Sequence, residues 1–140
     1  PVTHRDVNQS VTFVTGHDQS GDTPGSIDWD GIARGSQVIV IYMGMRHISQ
    51  ITERLILAGR EPSEPLAFVT SATLETQQVF ESTLGNAVED AKAYKIKAPA
   101  IICIGKAVLM RQVLDWKSID SGQLPRNLDP LCRGRPAESA

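Results

Sequence analysis

The sequence predicts an α/β fold, a three-layer α/β/α domain whose mostly parallel or mixed sheet has about five strands. Three observations lead there. Residues 37–44 read Gln-Val-Ile-Val-Ile-Tyr-Met-Gly; the β-branched and aromatic run inside that stretch suits a strand buried on both faces of a sheet covered by helices. Two further apolar runs, at 66–70 and 100–104, are each preceded by helical spacing. A strand, a helix and a second strand in that order favour parallel pairing through a crossover.

Residues 11–15, Val-Thr-Phe-Val-Thr, alternate apolar and hydroxyl side chains and predict a short strand ended by Gly16 and His17. Residues 18–26, rich in Gly, Asp, Ser and Pro, form a loop. Trp29, Ile32 and Ala33 give a short helix capped near Asp28. The central strand over 38–42 follows. Met43 and Gly44 lie at its carboxyl end, where open α/β sheets hold ligands and a glycine lets a backbone or ligand approach closely.

Ile48, Ile51, Leu55 and Ala58 recur at steps of three and four, so a helix starts near Ser49 and ends at Gly59. Residues 66–70 are the next buried strand, which puts Ser71-Ala72-Thr73 on the same sheet rim as Met43. Residues 77–84 predict an edge strand, and Leu84, Ala87, Val88 and Ala91 a short helix before Pro99. Residues 100–104 are a third buried strand ending in Gly105, continuing the strand-then-helix order, with Val108, Leu109, Val113 and Trp116 on a following helix. Residues 1–117 are thus one domain, and 118–140 a partly disordered extension.

The chain has 140 residues, 41% of them hydrophobic, and a net charge of −2, which suits one globular domain and excludes the basic footprint of a nucleic-acid binder. No apolar run approaches the roughly 20 residues that cross a bilayer, and no signal-peptide layout is present. Two cysteines, Cys103 in an apolar run and Cys132 in a polar one, make a poor disulfide framework, so a cytoplasmic address is expected. The start at Pro1, immediately before a dense polar motif, reads as the interior of a longer protein.

No dinucleotide, phosphate-loop or zinc-protease motif occurs, and His4, His17 and His47 lack ligand spacing, so no metal is expected. Cys103 in an apolar strand is an inert thiol, and no serine sits on a nucleophile elbow. No catalytic residue is assigned. Arg5 has two readings: a solvated loop residue paired with Asp6, or a guanidinium fork for carboxylates. Met43 in isolation is more often core filler than a ligand contact; its place after a buried strand and before a glycine narrows that difference.

Thr3-His4-Arg5-Asp6, Gln9-Ser10, the run Thr12-Phe13-Val14-Thr15-Gly16-His17, Tyr42-Met43-Gly44, Pro99-Ala100-Ile101-Ile102 with Gly105, and Leu114-Asp115-Trp116 occur in one order along the chain. As a set they resemble the C-terminal half of the uroporphyrinogen-III C-methyltransferases. The resemblance implies the second domain of the tetrapyrrole methylase fold, with S-adenosylmethionine held between two α/β domains, commonly in a homodimer. It implies methylation of uroporphyrinogen III at C2 and C7 to precorrin-2, the entry to sirohaem and cobalamin. The glycine-rich loop and proton-transfer groups of the family's N-terminal domain have no counterpart here.

Carried over by position, Met43 contacts the methyl donor and borders the substrate, and Ala72 touches the same cofactor through its backbone. The resemblance also implies that Arg5 binds substrate carboxylates, with Thr15 and His17 as weaker candidates for lining the cleft. Met45-Arg46-His47 stand where many relatives have smaller residues. Two other readings stay open: a non-catalytic α/β module for dimerisation or ligand sensing, and a methylase acting on another corrin precursor.

Overall fold

β2 (Val38–Tyr42) is the strand around which the sheet is built. In the computed structural model, which describes residues 3–17 and 24–111, its first four residues are buried and only Tyr42 is exposed. Both faces are therefore covered, as its uninterrupted apolar composition requires. β1 (Val11–Thr15) pairs with it in parallel, from Val11 opposite Val38 to Thr15 opposite Tyr42. On its other side lies β5 (Ala100–Ile104), antiparallel, then β3 (Pro65–Thr70) and the edge strand β4 (Gln78–Thr83), giving the order β1-β2-β5-β3-β4.

This mixed five-stranded sheet is the predicted one, but β5 departs from the repeated strand-then-helix order. β3 and β4 form an antiparallel hairpin, which reverses the chain. The next helix, α3 (Ala87–Ala93), then carries it to β5, which runs parallel in direction to β4 and antiparallel to both neighbours. Two crossover units of opposite direction thus interlock: β2 and β3 flank β5, while β4 and β5 flank β3. The start of β5, not its end at Gly105, shares a rim with the ends of β1, β2 and β3.

Helix α1 (Trp29–Gly35) begins at Asp28, whose carboxylate accepts the Gly31 N–H at 2.8 Å. Helix α2 (Ile48–Leu57) is entered through a 3-10 turn over Met45–His47, and Gly59, at φ 101°, carries the chain out of it. The three helices share one face of the sheet. Trp29 and Ala33 of α1, Ile48, Ile51 and Leu55 of α2, and Ala87 and Ala91 of α3 pack on Ile39, Ile41, Leu66, Phe68, Ile102 and Ile104. Each large side chain there stabilises the fold by about 1.5–3 kcal/mol.

The opposite face carries Val38, Val40, Ile101 and Cys103, packed with Ala107 from a 3-10 turn over Lys106–Met110. Among the described residues that turn is the third layer. The helix expected to run on to Trp116 and the extension over 118–140 lie outside the described residues. No helix among the described residues is long and apolar enough to cross a membrane.

Candidate functional site

Because β1, β2 and β3 point the same way, their carboxyl ends meet along one rim, and a cavity of about 760 Å³ opens there. That volume lies in the range of small-molecule and cofactor sites. Each strand end contributes through a particular local structure. After β1, Gly16 donates its N–H to the Tyr42 carbonyl at 2.7 Å, and the Thr15 hydroxyl donates to the carbonyl of His17 at 3.0 Å. The chain is thereby turned so that His17 faces the cavity, with its Nδ1 donating to the Met43 carbonyl at 3.1 Å.

After β2, Met43 takes a left-handed backbone, φ 54°, and after β3, Ser71 does the same at φ 48°. Non-glycine residues adopt that conformation at a cost, typically where a ligand site or turn demands it. Here the two left-handed residues occupy corresponding places on neighbouring turns of one rim, and both line the cavity. Met43 is 57% exposed, so its side chain is surface for a ligand rather than core. Ala72, next to Ser71, lines the opposite side. The turn behind it is closed by the Leu74 N–H on the Ser71 carbonyl at 3.0 Å and the Thr73 N–H on the Gln77 side chain at 2.7 Å.

The remaining wall comes from the start of β5, where Pro99, Ala100 and Ile101 lie between the ends of β2 and β3. Pro99 stands in the sequence as a helix stop; its place in the site follows only from the antiparallel sense of β5. Tyr42, Met45, Arg46, Val69 and Ala98 also line the cavity, which is predominantly apolar. Among the described residues, Arg46 is its one permanent cation and none of the lining residues is acidic.

Of the residues singled out by the sequence, Met43, Ala72 and His17 come together, and Thr15 stands behind them holding the His17 turn. Arg5 does not join them. It lies before β1, in a turn closed by the Asn8 N–H on the His4 carbonyl at 2.9 Å, and its own carbonyl accepts from the Gln9 side chain at 2.7 Å. The Gln9 N–H in turn reaches the side chain of Gln37, which precedes β2. Arg5 is therefore at the opposite rim, separated from the cavity by the length of β1, roughly 15 Å at about 3.3 Å per residue.

Away from the cavity, Cys103 is a free thiol whose ionisation burial pushes up from its ordinary value of 9.0. No group of His, Cys, Asp and Glu among the described residues is arranged to hold a metal ion.

S-adenosylmethionine is the ligand that the sequence motifs imply, and the cavity fits it. An apolar slot suits a purine, and Met43 and Ser71, each with a left-handed backbone, line it beside a few polar side chains. Met43, Ala72 and the start of β5 are the residues that would hold it.

Comparison with known proteins identifies the family. Over residues 1–88 the chain matches the family of tetrapyrrole (corrin/porphyrin) methylases. It is 53% identical over 116 residues to a uroporphyrinogen-III C-methyltransferase of Sinorhizobium sp, covering 83% of this chain and 41% of that protein. It is 42% identical over 116 residues to a sirohaem synthase of Thiobacillus denitrificans, covering 83% of this chain and 24% of that protein. The fold superposes on the uroporphyrin-III C-methyltransferase of Thermus thermophilus complexed with S-adenosylhomocysteine, with a TM-score of 0.68 and 28% identity over 77% of this chain and 47% of that one. The same architecture occurs in a cobalt precorrin-4 methyltransferase, at a TM-score of 0.66 and 18% identity, covering 77% of this chain and 45% of that one. The chain spans less than half the length of each of these proteins. It belongs to the tetrapyrrole methylase family.

Proposed function

We propose that this chain is the C-terminal cofactor- and substrate-binding half of a cytoplasmic, homodimeric uroporphyrinogen-III C-methyltransferase. The complete enzyme uses S-adenosylmethionine to methylate C2 and C7 of its substrate, giving precorrin-2 for sirohaem or cobalamin synthesis. The observation that carries this reading is the convergence of Met43 and Ala72, each beside or at a left-handed turn, on one apolar cavity at the carboxyl rim of the sheet. Support for the reaction comes from the similarity to the Sinorhizobium sp methyltransferase, and support for the ligand from the S-adenosylhomocysteine complex of the Thermus thermophilus enzyme.

When bound, the methyl donor supplies an electrophilic methyl group, and what remains for the protein is alignment and the exclusion of water. Met43 presents a flexible, polarisable thioether at the cavity mouth, able to touch donor and acceptor together. Ala72 has no side chain beyond Cβ, so the backbone of its turn stays accessible. Thr15 and His17 fix the neighbouring wall through the Met43 carbonyl. The other wall and the proton-transfer groups come from an upstream domain of the same protein, so the chain by itself is inactive and binds the donor weakly.

Calorimetric titration with S-adenosylhomocysteine, with and without the separately produced upstream domain, tests this. Tight binding only when both halves are present is the expected result. Tight binding to the chain alone would mean a self-contained site and would overturn the division of labour; no binding in either mixture would overturn the cofactor assignment.

A further inference from the structure

Arg46 is the cation at the mouth of the cavity, on the 3-10 turn that joins Gly44 to α2. Its surroundings differ from those of the other arginines that face protein groups. Arg60 is tied to Glu64 and to two backbone carbonyls, and Arg111 is paired with Glu81. Arg46 is exposed and makes no ion pair among the described residues. Among the described residues, none that lines the cavity beside it is acidic and could compete for the guanidinium. A permanent positive charge with five N–H donors, set at the edge of an apolar slot, selects a ligand with an apolar body and peripheral carboxylates.

We propose that Arg46 is the residue of this chain that binds a peripheral carboxylate of the tetrapyrrole substrate, an inference that rests on the function proposed above. The sequence motif had assigned that task to Arg5, which lies at the other end of β1. Arg46 is on the same rim as Met43 and follows it by three residues, so a ring edge placed against Met43 has its acidic substituents within reach of the guanidinium. The methyl donor also carries a carboxylate. Arg46 is carried on the 3-10 turn that follows Gly44, past the residues assigned to the donor, which favours the substrate as the source.

The test is a fluorescence titration of the 140-residue chain with uroporphyrin III, run beside a calorimetric titration with S-adenosylhomocysteine in the presence of the separately produced upstream domain. The variants are Arg46→Gln, Arg46→Lys and, as a control for net charge, Arg54→Gln on the exposed face of α2. Arg46→Gln should weaken uroporphyrin binding about tenfold at low ionic strength, and by less at high salt, as expected for a charge-assisted contact near the surface. Arg46→Lys should recover part of the loss and Arg54→Gln should have no effect. Fully methyl-esterified uroporphyrin should not distinguish Arg46→Gln from the parent.

Equal affinity of Arg46→Gln and the parent for uroporphyrin, or no uroporphyrin binding by the parent, would overturn the assignment. So would a loss confined to S-adenosylhomocysteine, which would give the guanidinium to the donor's carboxylate. If S-adenosylhomocysteine fails to bind in the presence of the upstream domain while the uroporphyrin dependence on Arg46 holds, the cofactor reading falls and this assignment stands.

Discussion

Gly16 and Gly44 are in backbone contact: a Cβ built on Gly16 would lie 2.3 Å from the Gly44 Cα and 2.8 Å from its nitrogen. The Thr-Gly-His and Tyr-Met-Gly segments are therefore two halves of one joint, in which the chain leaving β1 crosses the chain leaving β2. Gly44 is tight for a different reason, since its Cβ would meet the Ile41 Cγ2 at 2.7 Å and the Ile102 Cδ1 at 3.2 Å. Side-chain tips can shift, whereas two backbones held by a parallel ladder cannot. Gly16→Ala should cost about 2–3 kcal/mol, at the upper end for overpacking, and Gly44→Ala about 1 kcal/mol. Urea unfolding of the two variants checks the order; a Gly44→Ala loss equal to or larger than that of Gly16→Ala would refute the rigid joint.

Met43 holds a left-handed backbone while its side chain remains mostly in solvent. Such a residue is strained and has little burial to offset it, so the fold gains nothing from methionine there. Met43→Gly should raise stability by about 1 kcal/mol, since relief of the left-handed cost exceeds the added chain entropy of glycine. Affinity for S-adenosylhomocysteine in the presence of the upstream domain should fall about tenfold as the thioether wall is lost. Met43→Ile, β-branched at the same φ, should instead destabilise. Thermal melts with calorimetry on the three proteins separate the effects, and a Met43→Gly variant less stable than the parent would show that the thioether is needed for folding.

What the sequence made legible follows from which physical patterns are local. β2 was readable because burial on both faces removes polar residues from every position over 38–41, and α2 because Ile48, Ile51 and Leu55 mark one face. The rim holding Met43 and Ala72 followed from the parallel sense of β2 and β3. The direction of β5 did not, because an apolar run reads alike in either sense. What reverses the chain is the hairpin between β3 and β4, whose turn uses Ser71 and Thr73 at positive φ without a glycine to announce it. The place of Pro99 in the cavity shares that cause, whereas the remoteness of Arg5 follows from the parallel pairing of β1 with β2, which sets the start of β1 at the rim away from Met43.

Arg60 illustrates a structural role that composition could not signal. Its side chain is only 8% exposed; Nε and Nη2 engage the two carboxylate oxygens of Glu64, and Nη1 donates to the carbonyls of Ala33 and Ser36 at 3.1 and 2.7 Å. The guanidinium thus caps the carboxyl end of α1 and ties it to the approach to β3, at the rim away from the cavity. Arg60→Met leaves a largely buried carboxylate and two carbonyls without their donor, and should cost roughly 3 kcal/mol. Arg60→Lys should recover little, because an ammonium cannot form the same fork. A measured loss for Arg60→Met below about 1 kcal/mol, the level of an exposed ion pair, would refute the capping role.

Cys103 lies on β5 opposite Val40 of β2 and Ala67 of β3, on the face away from the helices. Burial there disfavours the thiolate and raises the ionisation of the thiol above its ordinary value of 9.0. The sign for stability follows by linkage. The folded chain keeps the proton while the unfolded chain gives it up, so this contribution is complete below the unfolded value and declines as pH rises from about 9 towards the folded value. Unfolding midpoints in urea should therefore fall between neutral pH and pH values above about 9 more steeply for the parent than for Cys103→Ala. Alkylation by iodoacetamide at pH 8, read at the Cys103 peptide by mass spectrometry, should be slow in the folded chain and fast in urea, since the thiolate is the reacting form. Equal rates in the two states would mean that Cys103 is reached by solvent as freely in the sheet as in the unfolded chain, and the pH dependence would have to come from other groups.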